Sequence, residues 1–370
     1  MSIIDMSSEQ KLIKSEIKKF TAAELDPIVS DIEKDCRIPP EIIKKISRMG
    51  LFGFLVPEEY GGSGLNMTTL CVALEELSRS SGSLALMVAV NNSYVVRSIS
   101  EYGSAHTREK YLKRIASGAV GGFTPYTETE IAGQRFSIEA VGGDTFLSGK
   151  SDIVLNSAAA GFFVVPAARA PGLTLCVVDG NGSSMNSYPV RTMGMSGAGI
   201  TGVEFKRMKV TDENRLVEEA EGHEAVQRLI DHGRISFASI ALGLTESALD
   251  ASIKYSKERR QFGRAICEFP MVRNMIAEIK LSIERSRLLI YDAASRVDKG
   301  EDYSVIASAA CLTSCEEAVS ATLKAIQIHG GYGYTRDYPV ERYFRDAKTL
   351  QALAGGSVDL KGKIAEEILR

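Results

Sequence analysis

Apolar positions recur at helical spacing from the start of the chain. Leu12, Ile13, Ile17 and Phe20 follow Ser7-Ser8-Glu9-Gln10, a stretch with the form of a capping box, so a helix is predicted to open the fold. Pro39-Pro40 begins a second helix through Ile42, Ile43 and Ile46, and Gly50 stops it. Gly61, Gly62 and Gly64 mark a loop, after which residues 68–80 and 83–102 are again helical. The stretch 83–102 is apolar nearly all round, the pattern of a buried helix.

Between about residues 119 and 210 the periodicity changes. Short strand-like runs cover 145–147, 161–167, 173–178 and 202–210, separated by Gly, Pro, Asn and Ser. Helical spacing returns after the acidic connector 218–224, with long patterns over 225–257, 271–297 and 304–328. Helices of that length bury their apolar stripes against one another, so a bundle is expected. The pattern therefore reads as an α+β protein with an N-terminal helical domain over 1–118, a central β domain over 119–215 and a C-terminal helical domain over 216–370.

The formal net charge of −3 offers no broad basic footprint for nucleic acid or an anionic membrane. No apolar run approaches the length of a membrane span. Cys36, Cys71, Cys176, Cys267, Cys311 and Cys315 are scattered without a CxxC pair, and Cys311 and Cys315 share a helical face among Ala, Val and Leu. Buried thiols in a reducing compartment are expected. With no basic or Arg-rich leader pattern after Met1, the expected location is the cytoplasm. His232 and His329 have no second ligand at zinc spacing and are expected to be exposed or capping residues.

Candidate chemistry gathers toward the end of the chain, where Gly330-Gly331 closes the third long helical pattern. Glycine tolerates positive φ and has no Cβ, so a ligand can approach the backbone closely there. Arg259, at the end of the first long pattern, offers a planar fork of donors suited to a pyrophosphate.

Five segments then carry a specific likeness: VPEEYGGSGL at 56–65, EELSR at 75–79, LIDHGRI at 229–235, ERRQFGR at 258–264 and QIHGGYGYTRDYPVERYFRDAK at 327–348. In this order and spacing the chain resembles the acyl-CoA dehydrogenase family over almost its whole length. The resemblance implies a central β-barrel-like domain, a C-terminal four-helix bundle and an FAD cofactor. It also implies an acyl-CoA or acyl-carrier thioester substrate, an electron-transferring flavoprotein as electron acceptor, and a tetramer. By the same resemblance Arg259, Gln261 and Phe262 reach the FAD of a neighbouring subunit. Gln327, Gly330 and Gly331 match positions that contact the FAD diphosphate and adenosine, and Thr127 matches the threonine facing the flavin ring. Asp231 and Arg234 match positions near the thioester and CoA, although by themselves they read as an ion pair on a helix surface.

The likeness breaks where the family keeps its catalytic base. The usual glutamate after the RDAK segment is Ala354, and the seat used by a smaller branch, just before Arg234, is Gly233. The Trp-x-Thr-Asn segment that covers the flavin reads Ile153-Val154-Leu155-Asn156, in which a Leu155 backbone N–H could still serve the flavin. Gly356, Val358 and Pro270 also replace family residues. Two explanations fit. One is an enzyme whose base is relocated, with Glu128, Glu130, Asp152 and Asp231 as candidates, or whose reaction removes no α-proton, as in a decarboxylation. The other is a subunit without its own chemistry that completes the FAD site of a paralogous chain in a mixed oligomer.

Overall fold

The structure, a computed structural model, describes residues 6–125, 135–180 and 182–369. Helix α1 (Ser8–Phe20) starts where its capping box predicts: Ser7 Oγ accepts from the Gln10 amide and Gln10 Oε1 accepts from the Ser7 amide. Helices α2 (Val29–Asp35) and α3 (Pro40–Arg48) follow, and Gly50 ends α3 at φ +75°. Then come α4 (Met67–Ser78), α5 (Gly82–Val90), α6 (Arg97–Tyr102) and α7 (Ala105–Ala116). Between α5 and α6 the backbone widens to a π-helical stretch, Asn91–Val96, so the predicted helix over 83–102 is one rod with an altered middle. Helix α7 escapes the pattern because its sequence, AHTREKYLKRIA, buries only Thr107, Tyr111, Leu112 and Ile115.

The central strands are β1 (Gly121–Phe123), β2 (Phe136–Val141), β3 (Asp144–Val154), β4 (Phe162–Arg169), β5 (Gly172–Asp179), β6 (Met185–Pro189) and β7 (Thr201–Val210). They pair in the order β1-β4-β2-β3-β7-β6, with β5 on the other side of β4. A bridge between Phe123 and Leu155, with N–O distances of 3.1 and 2.8 Å, returns the end of β3 to β1 and gives the sheet its barrel-like closure. Strands β1, β2 and β6 carry weak signals. The first is Gly-Gly-Phe, the second has an exposed end, and the third is a polar edge strand ending in Pro189.

Four helices complete the chain on the first long rod: α8 (Gly222–Glu258) is followed by α9 (Pro270–Lys299), α10 (Ser304–His329), α11 (Val340–Leu353) and α12 (Gly356–Leu369). Pro270 stands at the first position of α9, where its missing N–H costs no hydrogen bond. One apolar core joins α4 and α5 to α8, α9 and α10, while the barrel has its own around Phe136, Leu147, Phe163 and Phe205. Glu75 of α4, fully buried, fastens the two helical regions together: it accepts from Lys14 (2.9 Å), Arg287 (3.1 Å) and Tyr291 (2.9 Å).

Candidate functional site

Helix α8 ends at Arg259, and the chain turns at once through a two-stranded hairpin, β8 (Arg260–Gln261) and β9 (Arg264–Ala265). Phe262 at its tip has φ +50° and is 93% exposed, so the hairpin holds a large apolar ring out into solvent. Helix α10 ends beside it, and Gly330 leaves the helix at φ 60° and ψ −138°. Arg259, Gln261, Gly330 and Gly331 thereby line one cavity of 470 Å³ together with Tyr255, His329 and Tyr332. A Cβ built on either glycine would meet nothing of this chain. Gln327 is exposed on the last turn of α10 but is not among the residues lining the cavity.

The walls are aromatic. His329 stacks on Tyr255 at 4.3 Å between ring centroids, Tyr338 meets both edge-on, and the Arg259 guanidinium lies 5.8 Å from the Tyr332 ring. His329 is thus buried, contrary to the sequence expectation, because its ring forms part of this stack and its Nδ1 is 2.7 Å from the Ala325 carbonyl. Burial lowers its pKa, so the neutral ring is favoured. His232 is buried as well, held by Arg97 at 2.9 Å and by the Tyr303 hydroxyl at 3.1 Å. Among the described residues no cluster of His, Cys, Asp and Glu could hold a metal.

Asp231 and Arg234 lie far along the same rod. The 28 positions from Asp231 to Arg259 correspond to ~42 Å at a 1.5 Å rise per residue. Their pair is not on the helix surface: both are buried, with Arg234 donating to Asp231 Oδ1 at 2.7 Å and the Ser304 hydroxyl donating to Oδ2 at 2.8 Å. Burial raises the Asp231 pKa and the Arg234 charge opposes that rise. The neighbouring Gly233 is bare because Tyr94 fills its place. A Cβ there would come within 1.8 Å of the phenol oxygen.

Ala354 caps the C-terminal end of α11, buried in the main core, and Gly355 and Gly356 turn the chain into α12 at positive φ. Asp346, about two turns earlier in the RDAK segment, accepts the Met195 amide at 2.6 Å. Gly194 packs so tightly on α11 that a Cβ would lie 2.3 Å from the Arg345 carbonyl carbon. The loop between β6 and β7 is therefore pinned to α11. Sequence reasoning did not foresee this contact, since its partners are about 150 residues apart.

Two expectations about the flavin face change. The Leu155 backbone N–H is spent on the Phe123 carbonyl in the barrel closure, so it is not free to serve a flavin. Asp152 is exposed on β3 and held by the Tyr188 hydroxyl at 2.7 Å, beside Lys150. Thr127, Glu128 and Glu130 lie outside the described residues.

The acyl-CoA dehydrogenase C-terminal domain family matches residues 220–369, and the N-terminal domain family matches residues 7–119. Over 376 residues the chain is 32% identical to a short-chain specific acyl-CoA dehydrogenase of Clostridium acetobutylicum, covering 99% of both proteins. The chain belongs to the acyl-CoA dehydrogenase family. It is 31% identical to a subunit of the caffeyl-CoA reductase-Etf complex of Acetobacterium woodii, covering 95% of this chain and 96% of that protein. The solved butyryl-CoA dehydrogenase of Megasphaera elsdenii superposes with a TM-score of 0.94 at 29% identity, covering 99% and 100% of the two chains. As a member of this family the chain is a flavin oxidoreductase, and its cofactor is FAD. The residues around the 470 Å³ cavity fit part of such a group: flat rings to stack on, a guanidinium for a diphosphate, and two glycines that leave the approach open. No described helix is long and apolar enough to cross a membrane.

Proposed function

We propose that this chain is an FAD-dependent oxidoreductase of an acyl thioester that works without a carboxylate at either family seat. The observation that carries the proposal is the cavity where Arg259, Gln261, Gly330 and Gly331 converge, open where glycine side chains would stand. In this reading Arg259 donates to the diphosphate and Gly330 and Gly331 let it come close to the backbone. Gln261 and Gln327 supply further hydrogen bonds, and Phe262 covers an apolar face of the cofactor. Thr127 faces the flavin ring, on the sequence likeness alone. Asp231 and Arg234 orient the thioester end of the substrate. When bound, FAD supplies hydride chemistry at the acyl β-carbon.

The ~42 Å between Asp231 and Arg259 is more than one dinucleotide spans. The Arg259 cavity therefore serves a flavin whose reacting end lies in another subunit, which supports an oligomer, a tetramer by the family's habit. An electron-transferring flavoprotein is the proposed redox partner, as the name of the caffeyl-CoA relative suggests.

The missing base narrows the chemistry. Asp152 is tied to Tyr188 on the exposed barrel surface, and Asp231 is engaged by Arg234 and Ser304. Neither carboxylate is free to take a proton from carbon. Glu128 or Glu130 takes that role, or the reaction removes no α-proton. A second reading, a subunit that completes the flavin site of a paralogous chain, is favoured by one observation: the hairpin carrying Gln261 and Phe262 is presented outward while both base seats are empty.

The protein purified from its native host separates the two. A yellow homo-oligomer with flavin absorbance is expected. A colourless chain that turns yellow only when co-expressed with a paralog bearing the missing glutamate would overturn the first reading in favour of the second. Arg259→Ala is expected to weaken flavin affinity roughly 10- to 150-fold, read as flavin lost on dialysis, from the loss of ~1.5–3 kcal/mol of a charge-assisted hydrogen bond. Unchanged flavin content would remove Arg259 from the site.

A further inference from the structure

Away from the cofactor cavity, a second cavity of 380 Å³ lies where three parts of the molecule meet: α2, the β6–β7 loop and the start of α11. It shares no lining residue with the cofactor cavity, although one segment serves both, Thr335 on the cofactor side and Arg336 on this one. Four cations line it, Lys34, Arg336, Arg342 and Arg345, against two carboxylates, Glu33 and Glu341.

Arg345 frames the cavity. It donates to Glu33 at 2.9 Å, to Glu341 at 2.7 and 3.1 Å, and to the Met193 carbonyl at 3.2 Å. It thereby ties α2, α11 and the loop together and occupies both carboxylates. The other three cations are left without that compensation. Lys34 and Arg336 are exposed, the Arg342 guanidinium lies 5.3 Å from the Tyr343 ring, and among the described residues none of the three enters an ion pair. The buried Asp346 carboxyl is committed to the Met195 amide. Cations gathered on one concave wall repel one another, and the wall concentrates their field on whatever anion enters.

The remaining polar groups suit the same ligand. Ser30, Thr192 and Ser196 bring hydroxyls to the walls, and Arg342 stands in the first turn of α11, where helix amides lack intrahelical partners and favour negative charge. A guanidinium fork matches the oxygens of a phosphoryl group in pairs. Two such forks can engage one phosphoryl group each, which favours a diphosphate. The volume lies at the small end of the range for ligand sites, about 300–1,000 Å³, and ligand sites prefer the junctions of domains.

We propose that this cavity binds a diphosphate, with Arg336 and Arg342 each holding a phosphoryl group and Lys34 neutralising the remaining charge. The ligand joins the N-terminal helical, barrel and bundle parts of the chain through side chains that no one part supplies alone.

Cys36 reports on the cavity directly, because it lines the wall and is exposed, whereas Cys71, Cys176, Cys311 and Cys315 are buried. In the flavin-loaded oligomer, alkylation of Cys36 by the neutral reagent iodoacetamide is followed by peptide mass. Its rate is expected to fall several-fold with pyrophosphate and to stay unchanged with sodium chloride of equal ionic strength. Arg336→Gln and Arg342→Gln should each raise the pyrophosphate concentration for half-protection about tenfold or more, the loss of one charge-assisted hydrogen bond. Arg336 is exposed and outside any ion pair, so its variant keeps the test decisive if Arg342→Gln does not fold. Protection by ADP at a lower concentration than pyrophosphate assigns the diphosphate to a nucleotide, and protection by pyrophosphate alone assigns it to the free anion. No protection by either, protection that chloride reproduces, or protection that survives both substitutions overturns the proposal.

Discussion

Asp346 shows how far one residue's environment can depart from what its neighbours in sequence suggest. It lies in the charged run Arg342 to Lys348, yet it is 2% exposed and faces the β6–β7 loop, where it accepts the Met195 amide. Burial pushes its pKa up to about 7, Glu33 adds to the rise, and the Met195 hydrogen bond and the charges of Arg342 and Arg345 oppose it. The folded state therefore binds a proton that the unfolded chain releases near pH 4. The associated stability is fully present below about pH 4 and is lost as the pH rises to about 7, a change on the order of 4 kcal/mol. Asp346→Asn, which still accepts a hydrogen bond, is expected to lose this slope and to exceed the wild type in stability at pH 8. Urea midpoints at pH 5 and pH 8 for the two proteins measure it, and parallel shifts would show that Asp346 does not titrate in this window. The sequence offered Asp346 as one charge among many, because nothing local reports the loop that buries it.

At the scale of elements, the junction of α11 and α12 carries the position proposed as the family's seat for a base. The α11 backbone closes normally, with the Ala354 amide donating to the Leu350 carbonyl at 3.0 Å, and Gly355 and Gly356 then turn at φ +95° and +74°. The helix end is regular, and the side chain it presents at 354 is a methyl group. Ala354→Glu is accordingly expected to create or raise dehydrogenase activity, by ~10² or more if the geometry of the seat is retained. Bleaching of flavin absorbance across a panel of acyl-CoAs reads it, and no bleaching with any of them counts against a latent site of the usual form. The other seat differs in kind. Gly233 is legible in the sequence only as a glycine where the family likeness offers an alternative seat, and that a tyrosine from the π-helical stretch packs against it appears only when α8 and the Asn91–Val96 segment come together. Elements with strong periodicity, the long helices and β4, β5 and β7, could be read directly. The weaker ones, β1, β2, β6 and α7, could not, because each offers little apolar pattern: β1 is Gly-Gly-Phe, the end of β2 is exposed, β6 is a polar edge strand and α7 buries only Thr107, Tyr111, Leu112 and Ile115.

On the scale of the whole molecule, the chain presents apolar side chains that its own fold does not cover. Leu281 and Leu288, two turns apart on α9, and Leu323 on α10 are about half exposed, in addition to Phe262 at the hairpin tip. Together with the ~42 Å separation along α8, this argues for burial against further copies of the chain. Sedimentation of the wild type is expected to give a multiple of 40.1 kDa, tetrameric if the family's habit holds, and Leu281→Glu with Leu323→Glu should weaken assembly and flavin retention together. A monomer that keeps its flavin would refute the shared site. The sequence by itself determined the helix–barrel–helix order and the family, because periodicity and local motifs are properties of neighbouring residues. Tertiary structure alone decided that Arg259, Gln261 and the glycine pair line one cavity, that the Leu155 amide is spent on barrel closure, that Asp231 and Arg234 are a buried pair, and that Tyr94 occupies the seat at Gly233. Each of these depends on a contact between segments far apart in the chain, and such contacts are set by how whole elements pack rather than by any local pattern.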